Sequence, residues 1–218
     1  MPTPTSDTTP QGIRESRLKA AKGELKKAHQ LGFLGPQPVE QQLAHAVAFI
    51  NFLARVVHNH PFVMGNLGSV DESGAAVDLG TGGGVPGLVG AALLPQYRWL
   101  LAERSATRAR FLRLATRRLG WDEIAATIEG DVNQLAPEHP ALAGQRVVIM
   151  TARSFGPANE VLKHADRLLV GGGVLVVSDP PEGGHRWTDL LTPHKNLTVI
   201  DQQSEPVSIS AIQKTLLA

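Results

Sequence analysis

The sequence predicts an α/β domain built on a mostly parallel seven-stranded sheet with an antiparallel end, preceded by a helical cap. Short apolar runs alternate with amphipathic stretches from Ala75 onward, a glycine cluster falls between the first run and the next helix, and the last two runs are joined by a short polar segment. A strand-helix-strand order needs a crossover, which sets neighbouring strands parallel and lays helices on both faces of the sheet. The short final connection permits an antiparallel pair instead.

Residues 1–12 are rich in Thr and Pro and poor in large apolar side chains, so they read as a loose tail. The cap occupies 13–70 and the sheet domain 71–218, within one domain overall. From Ile13 to Gln30, Lys and Arg alternate with Ala and Leu at helical spacing, and Gly32, Gly35, Pro36 and Pro38 end that helix. A second cap helix, Val39 to His58, carries Leu43, Val47, Ile50, Phe52, Leu53 and Val57 as a stripe that packs on a core. The sheet domain then reads as strand 75–80, helix 85–94, strand 97–103, helix 105–119 and strand 125–129. It continues as strand 146–152, helix 158–169 and strand 172–178, and closes with strands 197–203 and 208–217.

The chain has 218 residues, with 21 Lys and Arg against 20 Asp and Glu, 42% hydrophobic and 19% charged residues, an ordinary globular balance that supports a packed core. With 0 Cys, the sequence excludes disulfides, thiolate metal centres and cysteine nucleophiles. The polar opening lacks the apolar stretch of a signal peptide and no run has membrane-spanning length, so the expected compartment is the cytoplasm, with no membrane partner. Because a net charge of +1 indicates no partner, the basic residues matter by position. Arg104, Arg108, Arg110, Arg113, Arg117 and Arg118 gather on one helix and Lys19, Lys22, Lys26 and Lys27 on another, a patch able to follow phosphates or simply a solvated face. His58 and His60 lack a convincing third ligand, and no metal is expected.

The strongest local signal is Val77-Asp78-Leu79-Gly80-Thr81-Gly82-Gly83-Gly84-Val85-Pro86-Gly87. Glycines at a strand-to-helix turn let backbone approach a ligand closely, and the helix start favours negative charge. A dinucleotide would place its diphosphate here and needs an acidic residue after the second strand. S-adenosylmethionine carries no phosphate but two cationic groups, and Asp78 at the end of the first strand suits them, which favours the methyl donor. Glu103, 25 positions on, fits a ribose-hydroxyl acceptor under either reading, or an ion pair beside the next helix. Asp131 stands where an adenine amino group could be received, or where a turn needs an Asp.

Three segments together, VDLGTGGGVPGLVGAALLP, LLAERSATRARFLRLATRRLGW and VVIMTARSFGPANEVLKHADRLLVGGGVLVV, resemble the GidB family of bacterial small-subunit rRNA guanine-N7 methyltransferases, over about Gly32 to Ser178. The resemblance extends more weakly to GFLGPQPVEQQLAH, which is similar to the cap of actinobacterial members. It implies a class I, Rossmann-like methyltransferase fold and S-adenosylmethionine as cofactor. The donor site it implies includes Asp78, Gly80, Thr81, Gly82, Gly84 and Pro86, and beyond them Glu103, Arg104, Asp131 and Val132. It places Arg153, of the Thr151-Ala152-Arg153 triplet, against donor or target guanine as the catalytic residue, with Phe155 and Arg108 in substrate binding. The implied partner is 16S rRNA or the small ribosomal subunit.

The sequence departs from the family where an Arg-His-Leu-Leu segment becomes Ala44-His45-Ala46-Val47 and where Gly-Arg-Ala-Glu becomes Gly130-Asp131-Val132-Asn133. A Lys-Gly pair is replaced by Ser178-Asp179-Pro180-Pro181, which reads as a rigid surface loop. These changes touch the acceptor side, so a methyltransferase acting on a small metabolite is a second reading, and a non-catalytic RNA- or nucleotide-binding module a third. Guanine N7 has an in-plane lone pair and no proton, so its methylation needs alignment more than a general base. Arg153 could neutralise the donor carboxylate, anchor a phosphate or orient guanine through O6, or form a structural salt bridge. Phe155 could stack on a flipped base or belong to the core.

Overall fold

A computed structural model describes residues 9–60, 74–142, 144–179 and 187–215. The first eight residues of the expected tail, the end of the expected cap beyond His60 and the Pro180-Pro181 loop lie outside the described residues. Helix α1 spans Pro10–Gln30, starting three residues before Ile13 because Thr9 and Pro10 form an N-terminal signal: the Thr9 hydroxyl accepts from Gly12 N at 3.1 Å and proline occupies the first turn. Helix α2 spans Val39–Asn59.

The remaining elements alternate. In order they are β1 (Ala75–Leu79), α3 (Gly87–Leu93), β2 (Arg98–Glu103), α4 (Ala106–Leu119), β3 (Ala125–Glu129) and β4 (Val147–Ala152). Then come α5 (Ala158–Leu168), β5 (Leu169–Ser178), the short α6 (Trp187–Leu191), β6 (Leu197–Gln203) and β7 (Ile209–Lys214). Two boundaries differ from expectation for local reasons. β5 begins directly at the end of α5, since its glycine run sits in a register shift against β4 instead of delaying the strand. The five-residue α6 is too short to leave a periodic pattern.

Strand order is β3-β2-β1-β4-β5-β7-β6, with β7 antiparallel to both β5 and β6 and the other pairs parallel. The sheet is buried on both faces, so alternate residues of each strand enter different cores. Ala76, Trp99, Leu101, Val148 and Val176 pack under α1, α2, α3 and α4; Val77, Leu100, Met150 and Leu175 pack under α5 on the opposite face. By that alternation Asp78 falls on the α3 side, with Thr151 of β4 opposite it in register. Among the described residues, no helix is long and apolar enough to cross a membrane.

Candidate functional site

At the carboxyl ends of β1 to β4 a cleft of about 910 Å³ opens where the strand order reverses beside β1, the usual place for a ligand in an open α/β sheet. Its floor is the β1–α3 turn, in which Gly80 and Gly82 take positive φ of 61° and 59°. Gly80 needs its hydrogen twice over, because a Cβ there would also stand 2.5 Å from the Phe155 ring.

The turn is organised from beneath by Asp78, which is fully buried. One carboxylate oxygen accepts from Gly87 N at 2.8 Å and the other from the Thr151 hydroxyl at 2.7 Å. The buried Thr81 hydroxyl lies close by, without a well-formed hydrogen bond of its own. Burial raises the Asp78 pKa to about 6, while Thr81, Thr151, Gly87 and the Arg153 charge pull it back. The sequence suggests that Asp78 meets a cationic donor; here its oxygens face protein donors beneath the turn, outside the cleft lining. Gly84 and Pro86 also lie off the cleft wall, behind the turn, while Gly83 lines it. The Gly84 position is closed by the Leu88 and Leu112 side chains.

Most of the turn's amides are engaged internally. Gly82 N donates to Glu103 Oε2 at 3.0 Å, and Gly84 N and Val85 N donate to the Thr81 carbonyl at 2.9 and 3.1 Å. With Gly87 N on Asp78, the helix start is already answered by a carboxylate.

Glu103 forms the second wall. Only 3% exposed, it lines the cleft, and its Oε1 accepts from Ser105 N at 2.7 Å and Arg108 Nη2 at 2.9 Å. Arg108, expected to bind substrate, is thus paired with Glu103 at the cleft edge. Of the remaining basic patch, Arg113 pairs with Glu129, Arg118 and Lys27 with Glu24, and Lys22 with Glu40, so much of its charge is answered locally. Arg104 is exposed and lines the cleft mouth.

Asp131 and Val132 line the far end. Asp131 is exposed and accepts from Asn133 N and Nδ2, both at 2.9 Å; these bonds, chiefly the backbone one, hold its carboxyl below the ordinary value. Phe155 faces them, packed on Gly80 and edge-on to His164 at 5.8 Å.

The cap closes the remaining side. Arg153 Nη2 donates to Gln42 Oε1 of α2 at 2.7 Å. Burial pushes the Arg153 guanidinium below its ordinary pKa, and Asp78 opposes that shift. Phe33 and Leu34 of the α1–α2 link lie over the glycine turn; a Cβ on Gly83 would come 2.7 Å from Leu34. His45, in the altered cap segment, also reaches the cleft. Sequence reasoning missed Gln42, Phe33 and His164, which carry no motif. The one available signal was a glutamine at an inward position of an amphipathic helix.

Comparison with known proteins gives a consistent pattern. Residues 39–207 match the family described as GidB, rRNA small subunit methyltransferase G. A ribosomal RNA small subunit methyltransferase G from Acidothermus cellulolyticus is 28% identical over 73% of this chain and 60% of its own length. The protein of that name from Hyphomonas neptunium is 32% identical over 58% of this chain and 55% of its own. The chain therefore spans less than two thirds of these relatives' lengths. Among solved structures, cofactor-bound Rv0187 from MTB superposes with a TM-score of 0.62 at 17% identity, each chain covered in full, which shows that the two share a fold.

Proposed function

Because the chain belongs to the GidB family of rRNA small subunit methyltransferases, we propose that its cleft binds S-adenosylmethionine and directs the methyl group to a guanine N7 of 16S rRNA. The carrying observation is the turn itself. Its amides at Gly82, Gly84, Val85 and Gly87 are engaged within the protein, and a buried carboxylate sits under the helix start. A diphosphate would find few free donors there and would meet like charge, so the turn suits a donor without phosphate and with positive groups. Asp78 contributes as a positioning residue, through the turn it holds and the field it sets.

The donor supplies the electrophilic methyl carbon. A carboxylate offers about four lone-pair sites; Glu103 uses three, for Gly82, Ser105 and Arg108, which leaves capacity for a ribose hydroxyl. The Asp131–Val132 segment and the Phe155 ring form the walls for the adenine. Gly80, Thr81, Gly82 and Gly83 let the methionine portion lie against backbone, with Arg104 at the mouth. Arg153, held by Gln42, keeps further N–H groups, which orient guanine through O6 while N7 stays free for attack. N7 carries no proton, so positioning by these groups supplies the catalysis.

The test is incubation of the protein with methyl-labelled S-adenosylmethionine and unmodified small subunits, protein-free 16S rRNA or deproteinised cell extract. Label in 7-methylguanosine of the rRNA is the expected result. Label confined to extract metabolites would move the acceptor to a small molecule, and donor binding without transfer to any of them would favour a non-catalytic module.

A further inference from the structure

The segment after β3 and helix α5 meet through one guanidinium. Arg167, in the last turn of α5, donates from Nη1 to the carbonyls of Asn133 at 3.1 Å and Leu135 at 2.5 Å, and from Nη2 to that of Val132 at 2.9 Å. Nη2 also lies 3.1 Å from Nδ1 of His164, one turn earlier. A guanidinium can only donate, so Nδ1 is the acceptor and the proton of the neutral ring belongs to Nε2. Burial, reinforced by the Arg167 charge, holds the imidazole below its ordinary pKa and favours that neutral form.

These contacts share a location. Val132, Asn133 and His164 all line the cleft, at the end walled by Asp131 and Phe155, whereas Arg167, exposed to solvent, does not. His164 is 5% exposed. Three of the four groups that Arg167 engages thus belong to cleft-lining residues, and the fourth, the Leu135 carbonyl, belongs to a core residue just after them.

We propose that Arg167 is a positioning residue for the donor's base: it sets the carbonyl edge of residues 132–135 and fixes His164 as its Nε2–H tautomer, so that the adenine meets a wall of constant shape. The inference rests on the donor assignment made above. Its chemistry is recognition of an adenine ring, and Arg167 touches neither donor nor acceptor.

The test uses the full chain with Arg167→Ala and Arg167→Lys, titrated calorimetrically with S-adenosylhomocysteine. Arg167→Ala should weaken binding about tenfold or more, and Arg167→Lys, which keeps charge but not the fork, should recover part of it. At saturating donor, kcat and the acceptor KM should stay at the wild-type values, placing the loss in the donor KM. Nitrogen-15 NMR of His164 should show the Nε2–H tautomer in the wild type and a mixture in Arg167→Ala. If Arg167→Ala fails to fold, Arg167→Lys carries the same affinity and tautomer comparison. Wild-type affinity and an unchanged tautomer in the variants would overturn the inference; failure of the wild type to bind S-adenosylhomocysteine would instead overturn the donor assignment on which it stands.

Discussion

The carboxyl ends of β1 and β2 lie side by side and treat their acidic residues in opposite ways. Asp78 is 0% exposed and Glu103 only 3%, so burial alone does not separate them. The difference lies in depth: Asp78 is in register with Leu101, two residues before Glu103 on the same side of the sheet, so Glu103 stands further out at the strand ends. Asp78 points to the α3 side of the sheet, where Gly87 and Thr151 engage its oxygens beneath the turn. Glu103 stands on the cleft wall and joins the turn to the start of α4. One carboxylate therefore braces the floor and the other lines the cleft. Two residues' difference in depth along neighbouring strands separates a carboxylate that braces the turn from one that lines the cleft.

The largest effect that sharpens this contrast comes from pH. The folded pKa of Asp78 is raised from 3.8 to about 6; its stabilising contribution is therefore fully present below the unfolded value and lost as pH rises through about 6. The shift corresponds to about 3 kcal/mol. Denaturant unfolding of wild type and Asp78→Asn at pH 3.5 and 7.5 should show the variant gaining about that much relative to wild type at the higher pH. A constant difference would place Asp78 in contact with solvent or ligand.

The next effect belongs to the other carboxylate. Glu103→Ala should weaken S-adenosylhomocysteine binding about a hundredfold, because it removes the acceptor left for the ribose and frees the Gly82 amide. Calorimetry with parallel melting curves separates the loss of affinity from any loss of fold. A smaller change, about 2 kcal/mol, is expected for Gly87→Ala, whose new Cβ would lie 2.3 Å from Leu101 and 2.8 Å from the Asp78 carboxylate. That loss should appear in unfolding experiments, since it strikes the floor beneath the turn.

The sheet was legible in the sequence because alternating apolar runs and glycine breaks are local signals, and strands such as Ala125–Glu129 fall where their pattern puts them. The glycine turn and Glu103 were legible for the same reason. The orientation of Asp78 was harder, since it depends on which face position 78 takes in a strand buried on both sides, and every β1 residue is buried. Gln42 and Arg167 were not legible: Gln42 meets Arg153 across 111 positions and Arg167 meets Val132 across 35, contacts that exist only after the sheet has brought distant segments together. Pairing of Arg108 with Glu103 was open to sequence reasoning, being five positions apart, but the gathering of arginines on α4 pointed toward phosphate instead.

The most direct measurement of the central claim is a crystal structure of the protein with S-adenosylhomocysteine. The account predicts one nucleoside in the cleft, its ribose hydroxyls on Glu103, its base between Val132 and Phe155, and the Asp78 bonds to Gly87 and Thr151 unchanged. A nucleoside bound elsewhere, or one whose amino group displaces those bonds to reach Asp78 directly, would contradict it.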